Sequence, residues 1–271
     1  MNELIEEIYS SRKVEDEQGN QINPFPTALS YELGVELYNH IYNRTISNTL
    51  EIGMAYGLSS LFICQAHHDK GIGGQHTAID PMESVDYVSI GLLNITRAGL
   101  DDSFRFYESC SYEVLPQLFQ ANEVYDLIFI DGMHLFDYAL VDFFYSDLLL
   151  KPGGFLIVDD VWMPSIRKVV MFVIQNRHYE LVPDFFLGKS SLINRVTKLI
   201  SGAIKDPLYR MRLRLFAKCA LQNPFDISAI SASLLIGFSF LTQPAATRVI
   251  ISAGTILIRA DFIPDPSVLG I

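Results

Sequence analysis

The sequence predicts an α/β fold: a doubly wound, mostly parallel sheet with a helical insertion near the C-terminus. Three observations carry that reading. First, short apolar runs such as Tyr125 to Ile130 and Phe155 to Val158 lack polar alternation, and they alternate with helical segments. That is the pattern of a parallel sheet covered on both faces. Second, the runs end on or beside acids: Glu51, Asp80, Asp131 and the pair Asp159-Asp160. Ligands bind at the carboxyl ends of such strands. Third, a turn bearing Gly53 and Gly57 follows the first run, where backbone can approach a ligand closely.

The elements follow in order. The first two dozen residues are polar, with turn signals at Gln18-Gly19-Asn20 and Asn23-Pro24, and read as frayed. Ser30 caps a helix in which Leu33, Leu37 and Ile41 recur at i, i+4 and i+8. Thr49 to Ile52 is a strand and Leu58 to Ala66 a helix. Thr77 to Asp80 is a strand, and a helix spans about Val85 to Ala98 until Gly99 stops it. Phe104 to Tyr107 is a strand and Tyr112 to Gln120 a helix. The strand from Tyr125 ends at Asp131, a helix runs from Phe136 to Leu150, and Lys151 to Gly154 turns into the strand Phe155 to Val158. Ser165 to Asn176 is a helix and Tyr179 to Val182 a strand. A last strand, antiparallel, falls at Arg248 to Ile251 or Thr255 to Arg259. The chain divides into an N-terminal extension (1–29), an α/β core (30–186), a helical insertion or cap (187–247) and a final strand region (248–271).

Composition narrows the function. The 271 residues are 49% hydrophobic, which excludes a disordered chain. A net charge of −11 disfavours nucleic acid as a partner, since phosphate binding needs a basic footprint. Cys64, Cys110 and Cys219 are too far apart for a disulfide framework or a Cys-x-x-Cys site. They read as thiols in a reducing cytoplasm. The acidic N-terminus has no apolar stretch, so no signal peptide is expected.

The loop after the first strand reads Glu51-Ile52-Gly53-Met54-Ala55-Tyr56-Gly57-Leu58-Ser59. It lacks the three-glycine dinucleotide pattern, and Glu51 would repel a pyrophosphate. A ligand with a positive centre and a carboxylate fits better. S-adenosylmethionine has both, and Asp80 at the next strand end can accept from its ribose hydroxyls.

These segments resemble the class I S-adenosylmethionine-dependent methyltransferases, which have a Rossmann-like fold. Within them, the likeness is to small-molecule O-methyltransferases of the catechol type and bacterial sugar O-methyltransferases. Glu51 to Ser59 is similar to their E-x-G-x-x-x-G-x-S segment, and Ser109 to Leu118 to their adenine-side loop and helix. Ile130 to His134 is similar to their D-G-x-H element. Leu150 to Gly154 with Val158-Asp159-Asp160 resembles their fifth-strand signature. The resemblance covers about residues 30–182. It implies cofactor contacts from Glu51, Gly53, Gly57, Ser59, Asp80, Ser111 and Asp131. Methionine falls to Gly53 and Ser59, ribose to Asp80 and adenine to Ser111.

Methyl transfer to a hydroxyl needs its proton removed, by a base or beside a cation. Three carboxylates, Asp131, Asp159 and Asp160, supply hard oxygen ligands that suit Mg²⁺ or another hard divalent cation. The same positions hold such an ion in the resembling metal-dependent enzymes. His134 stands where catechol-type relatives carry a lysine, and with Asp131 it is the candidate catalytic pair. His67, His68 and His76 read as solvent-facing. Trp162, the one tryptophan, reads as a packing residue or a wall of the acceptor pocket.

The expected activity is metal-assisted O-methylation of a hydroxylated small molecule. The alternatives are a catalytically silent binding or assembly module, and a metal-independent N-methyltransferase. Residues 189–218 carry eight basic side chains against the single acid Asp206. That segment is expected to form a cap or homo-oligomer surface, with docking on a membrane surface as the lesser alternative. The uncharged run 227–247 is interrupted by serines, Gln243 and Pro244, and reads as buried helix plus loop rather than a span.

Overall fold

The computed structural model describes residues 1–25, 27–71, 73–177, 179–181 and 256–260. The N-terminus is not frayed. Helix α1 (Glu3–Ser11) is capped by Asn2, whose side chain accepts from the Leu4 N–H at 3.1 Å. It buries Ile5 and Ile8. Strands β1 (Val14–Glu15) and β2 (Gln21–Ile22) pair antiparallel around a turn held by Asp16. A nine-residue helix is marginal alone. This one is stabilised because its apolar side packs with Leu58, Leu61 and Phe62 in one core cluster.

Ser30 caps α2 (Tyr31–Tyr42) as expected, accepting from the Leu33 N–H. Then β3 (Asn48–Ile52), α3 (Leu58–Lys70) and β4 (Gln75–Ile79) follow. Helix α4 (Ile90–Arg97) is shorter than its pattern suggested. Val88 and Ser89 adopt left-handed φ values of 52° and 58°, so the chain from Pro81 to Ser89 turns rather than coils. The remaining elements are β5 (Phe104–Tyr107), α5 (Ser111–Gln120), β6 (Tyr125–Ile130), α6 (Phe136–Leu149), β7 (Leu150–Val158), α7 (Pro164–Asn176), β8 (Tyr179–Leu181) and β9 (Ile256–Ala260). The expected turn at Lys151 to Gly154 is drawn into β7, with a register shift against β6 between Tyr125 and Leu127.

The main sheet has the order β5-β4-β3-β6-β7-β9-β8. Its first five strands are parallel, and β9 runs antiparallel to both β7 and β8. Side chains along β6 alternate between two cores. Ile128 and Ile130 join Leu115, Phe143 and Val170 from α5, α6 and α7, whereas Leu127 and Phe129 join Leu37 and Ile63 from α2 and α3. Both faces are therefore covered by helices, and this is why the strands read as unbroken apolar runs.

Strand order reverses between β3 and β6, and a crevice for ligand opens at such a switch point. The same edge receives the end of β8, and β9 starts there with Ile256 paired to Val158. The segment between these two strands contains the predicted insertion 187–247, its basic run, Cys219 and the alternative strand Arg248 to Ile251. All of these lie outside the described residues. Among the described residues, no helix is long and apolar enough to cross a membrane.

Candidate functional site

Four strand ends converge at the switch point. Gly53 follows β3, Asp80 follows β4, Asp131 follows β6, and Asp159-Asp160 follows β7. Gly53 has φ +90°, and a Cβ there would lie 2.1 Å from the carbonyl oxygen of Asp131. Only glycine lets the tips of β3 and β6 approach this closely. Gly57 (φ +73°) is the N-cap of α3, and a Cβ there would lie 2.9 Å from Cα of Gly91 in the first turn of α4.

Asp80 is buried and clamps the glycine loop. Its Oδ2 accepts from the N–H groups of Met54 (2.9 Å) and Ala55 (2.8 Å), and its Oδ1 from that of Met82 (2.9 Å). A carboxylate has about four acceptor positions, so roughly one remains for a ligand hydroxyl. Ser59 is buried in the first turn of α3.

Glu51 is placed differently from its sequence-based role. It is 0% exposed and lies beneath the loop rather than facing its open side. Its Oε2 accepts from the Ser60 hydroxyl and, at 3.1 Å, from Nε2 of His76. Thr49 Oγ1 continues the chain, 3.0 Å from Nδ1 of His76 and 2.9 Å from Nε2 of His67. His67 and His76 were expected in solvent and are buried instead. The reason is tertiary. His76 sits on β4 opposite Thr49 of β3 in the parallel register, so its ring points inward to Glu51.

The third group of residues is acidic and basic at once. One atom each from Asp131, His134 and Asp160 lies within 4.8 Å of the others. Nε2 of His134 is 2.9 Å from Asp160 Oδ2 and 3.6 Å from Asp131 Oδ1. It is nonetheless buried without hydrogen-bond geometry to either. The Asp131 carboxylate, then burial and Asp160, act on the imidazole, and the net effect holds His134 above its ordinary pKa. Burial drives the Asp131 carboxyl upward, opposed by His134. Its side chain keeps 30% of its surface open, so the rise is smaller than for a sealed carboxylate. Asp159 stays outside the triad, and its Oδ1 accepts from the Asp160 N–H at 2.8 Å. The structure thus groups His134, rather than Asp159, with Asp131 and Asp160.

Two buried acids escaped the sequence reading. Asp142 on α6 lines a cavity of about 200 Å³ with Ser111, Tyr112, Asp137, Tyr138 and Val141. Burial pushes its carboxyl up to about 6, with the Ser111 hydroxyl acting the other way. The signal was present: Asp142 falls on the buried stripe of α6, between Ala139 and Ser146. Glu83 is fully buried beside the glycine loop and accepts from the Leu92 N–H at 3.0 Å. Desolvation pushes it from 4.5 up to about 7.

Glu83 yields a stability prediction. A raised folded pKa means the native state binds more protons than the unfolded chain. The contribution is therefore complete below pH 4.5 and is lost as pH rises through about 7. Glu83→Gln keeps the acceptor without the charge. Urea unfolding is expected to show the variant more stable than wild type at pH 8, by up to about 3 kcal/mol, with no gain at pH 4. An equal difference at both pH values would remove ionisation as the cause.

Comparison with known proteins bears on this geometry. Residues 50–161, from β3 to the end of the Asp pair, match a family model described as a methyltransferase domain. Over these residues the chain is similar to methyltransferase domains. Solved structures agree on its fold. An O-methyltransferase from Bacillus cereus in complex with SAH superposes with a TM-score of 0.54 at 20% identity, covering 67% of this chain and 83% of that one. TomG, an O-methyltransferase from Streptomyces achromogenes involved in tomaymycin synthesis and bound to SAM, gives 0.54 at 18%, covering 67% and 82%. The SAH-bound methyltransferase PaMTH1 of Podospora anserina gives 0.52 at 15%, covering 67% and 83%. No curated protein sequence gives a significant match. The matched region contains Gly53, Asp80 and Asp131, and the N-terminal helix and hairpin precede it.

Proposed function

We propose that the chain is an S-adenosylmethionine-dependent O-methyltransferase for a hydroxylated small molecule, with a divalent cation at Asp131, His134 and Asp160. The single observation that carries this is the juxtaposition of that triad with the glycine loop at the switch point. The donor set fits a cation. Two carboxylates and an imidazole converge, and the imidazole Nε2 is buried without a hydrogen-bond partner. Replacing one of three carboxylates by a nitrogen shifts the preference from Mg²⁺ toward Mn²⁺ and its borderline neighbours. A cation bound there would lower the pKa of an acceptor hydroxyl, and S-adenosylmethionine would supply the electrophilic methyl group.

The chain's own residues do the rest. Gly53 and Gly57 give backbone access, Asp80 offers its spare lone pair to a ribose hydroxyl, and the cavity at Ser111 and Asp142 suits a purine. Glu51, bonded to His76 and Ser60, anchors the strand end to α3 and so shapes the loop from beneath. A net charge of −11 supports a small-molecule rather than a nucleic-acid partner.

A second reading keeps the reaction without metal. Nε2 of His134, lying between two carboxylates, would take the acceptor proton itself. Exhaustive chelation separates the two. Activity that disappears on chelation and returns with Mn²⁺ supports the cation. Activity that survives chelation, yet falls about 10²-fold or more in His134→Ala, supports the base.

Cofactor binding is tested apart from turnover. Calorimetry with S-adenosylhomocysteine is expected to show binding to wild type. Asp80→Ala should weaken it by about 1.5–3 kcal/mol, the worth of a charge-assisted hydrogen bond. Unchanged affinity would take Asp80 out of the site.

A further inference from the structure

Asp160 has an unusual setting. Its φ of +52° is left-handed, a conformation that costs energy for a residue with a side chain. Its carbonyl accepts from the Met163 N–H at 2.8 Å, closing a turn over residues 160–163. The turn brings Trp162 back onto it, and the indole Nε1–H donates to Asp160 Oδ1 at 2.6 Å. The other oxygen, Oδ2, faces His134. Trp162 is 62% exposed, so burial does not hold the ring in this orientation. The hydrogen bond to Asp160 does.

We propose that Trp162 is a positioning residue for the acidic centre. Its N–H occupies Oδ1 of Asp160 and turns the carboxylate so that Oδ2 alone points toward Asp131 and His134. A rotating carboxylate would present either oxygen, or both, to a ligand. The indole removes that freedom, and the left-handed turn is the backbone cost of bringing it there. Partners that orient a ligating carboxylate act on affinity through this kind of bond. The proposal rests on the reading of the triad as a cation site only for its effect on binding. The orientation of Asp160 is independent of that reading.

The experiment uses the full chain and Mn²⁺ alone, with free Mn²⁺ followed by electron paramagnetic resonance. Wild type is expected to bind one ion. Trp162→Phe keeps the ring and loses only the N–H. It is expected to bind Mn²⁺ about tenfold more weakly or worse, with unchanged thermal unfolding. A folded Trp162→Phe protein that binds Mn²⁺ equally well or more tightly would overturn the proposal. Should wild type bind no Mn²⁺, the cation reading fails by itself, and a second measurement decides on Trp162. The chain has one tryptophan, so ¹⁵N labelling yields a single indole N–H resonance. That resonance is expected to be protected from solvent exchange despite its exposure, and to move and lose protection in Asp160→Ala. A resonance that stays in place and keeps its exchange rate in that variant would show that the indole does not hold Asp160.

Discussion

Gly53→Ala is expected to abolish binding of S-adenosylhomocysteine and to destabilise the protein. Two costs add. A side chain at φ +90° is strained by about 1–3 kcal/mol. The new Cβ would also meet the carbonyl oxygen of Asp131 at 2.1 Å and its carbonyl carbon at 2.6 Å. Both are backbone atoms of the neighbouring strand end, so no side chain can swing aside. Overpacking of this kind costs about 1–3 kcal/mol. Relief requires the tips of β3 and β6 to part, which opens the crevice that the ligand needs. Gly19→Ala is the control. Gly19 also has positive φ (+80°), but a Cβ there meets nothing within 4 Å. The control should lose stability through strain alone and bind S-adenosylhomocysteine normally. Equal stability losses in the two variants, with binding intact in both, would show that the close approach at Asp131 is unimportant.

Asp131→Asn is expected to lower methyl transfer by roughly 10²–10⁴-fold, the usual span when acid–base assistance is lost, because removal of the acceptor's proton depends on Asp131 as cation ligand or as the carboxylate beside His134. The fold should survive, and at neutral pH in chelator it should gain stability. The sign follows from the carboxyl's raised pKa: its stabilising contribution is complete below the ordinary carboxylate range and is lost as pH rises through the folded value. An amide of the same shape avoids that loss. Activity and stability should therefore move in opposite directions, which a merely unfolded variant cannot imitate. Turnover within threefold of wild type on a hydroxylated acceptor would remove Asp131 from the chemistry.

Much of this architecture was legible in the residues. Apolar runs ending on Asp80, Asp131 and Asp160 announced parallel strands with their functional edge, because burial on both faces leaves no room for polar alternation. Gly53 and Gly57 marked the loop, and Ser30 marked the start of α2. Other features were written in the chain but too local to weigh. Asn2 and the stripe Ile5 and Ile8 belong to a helix too short to be stable without α3 to pack against. Asp142 and Ser146 sat on an apolar stripe, where only the α5–α6 packing shows that they are buried.

From α2 onward, the sequence by itself determined the order of strands and helices in the core, the glycine loop and the acids at the strand ends. These depend on local pattern, and local pattern is read directly from neighbours in the chain. Only the tertiary structure decided which of those acids meet. The β3–β4 register turned Glu51 and His76 toward each other beneath the loop, and so made a buried anchor from one residue expected to contact cofactor and one expected in solvent. The left-handed backbone at Asp160 turned that carboxylate toward His134, while Asp159 was spent on the Asp160 N–H. The Glu51–His76 and His134–Asp160 partnerships join residues 25 and 26 positions apart, and neither spacing nor hydropathy encodes the direction in which a side chain leaves a strand end.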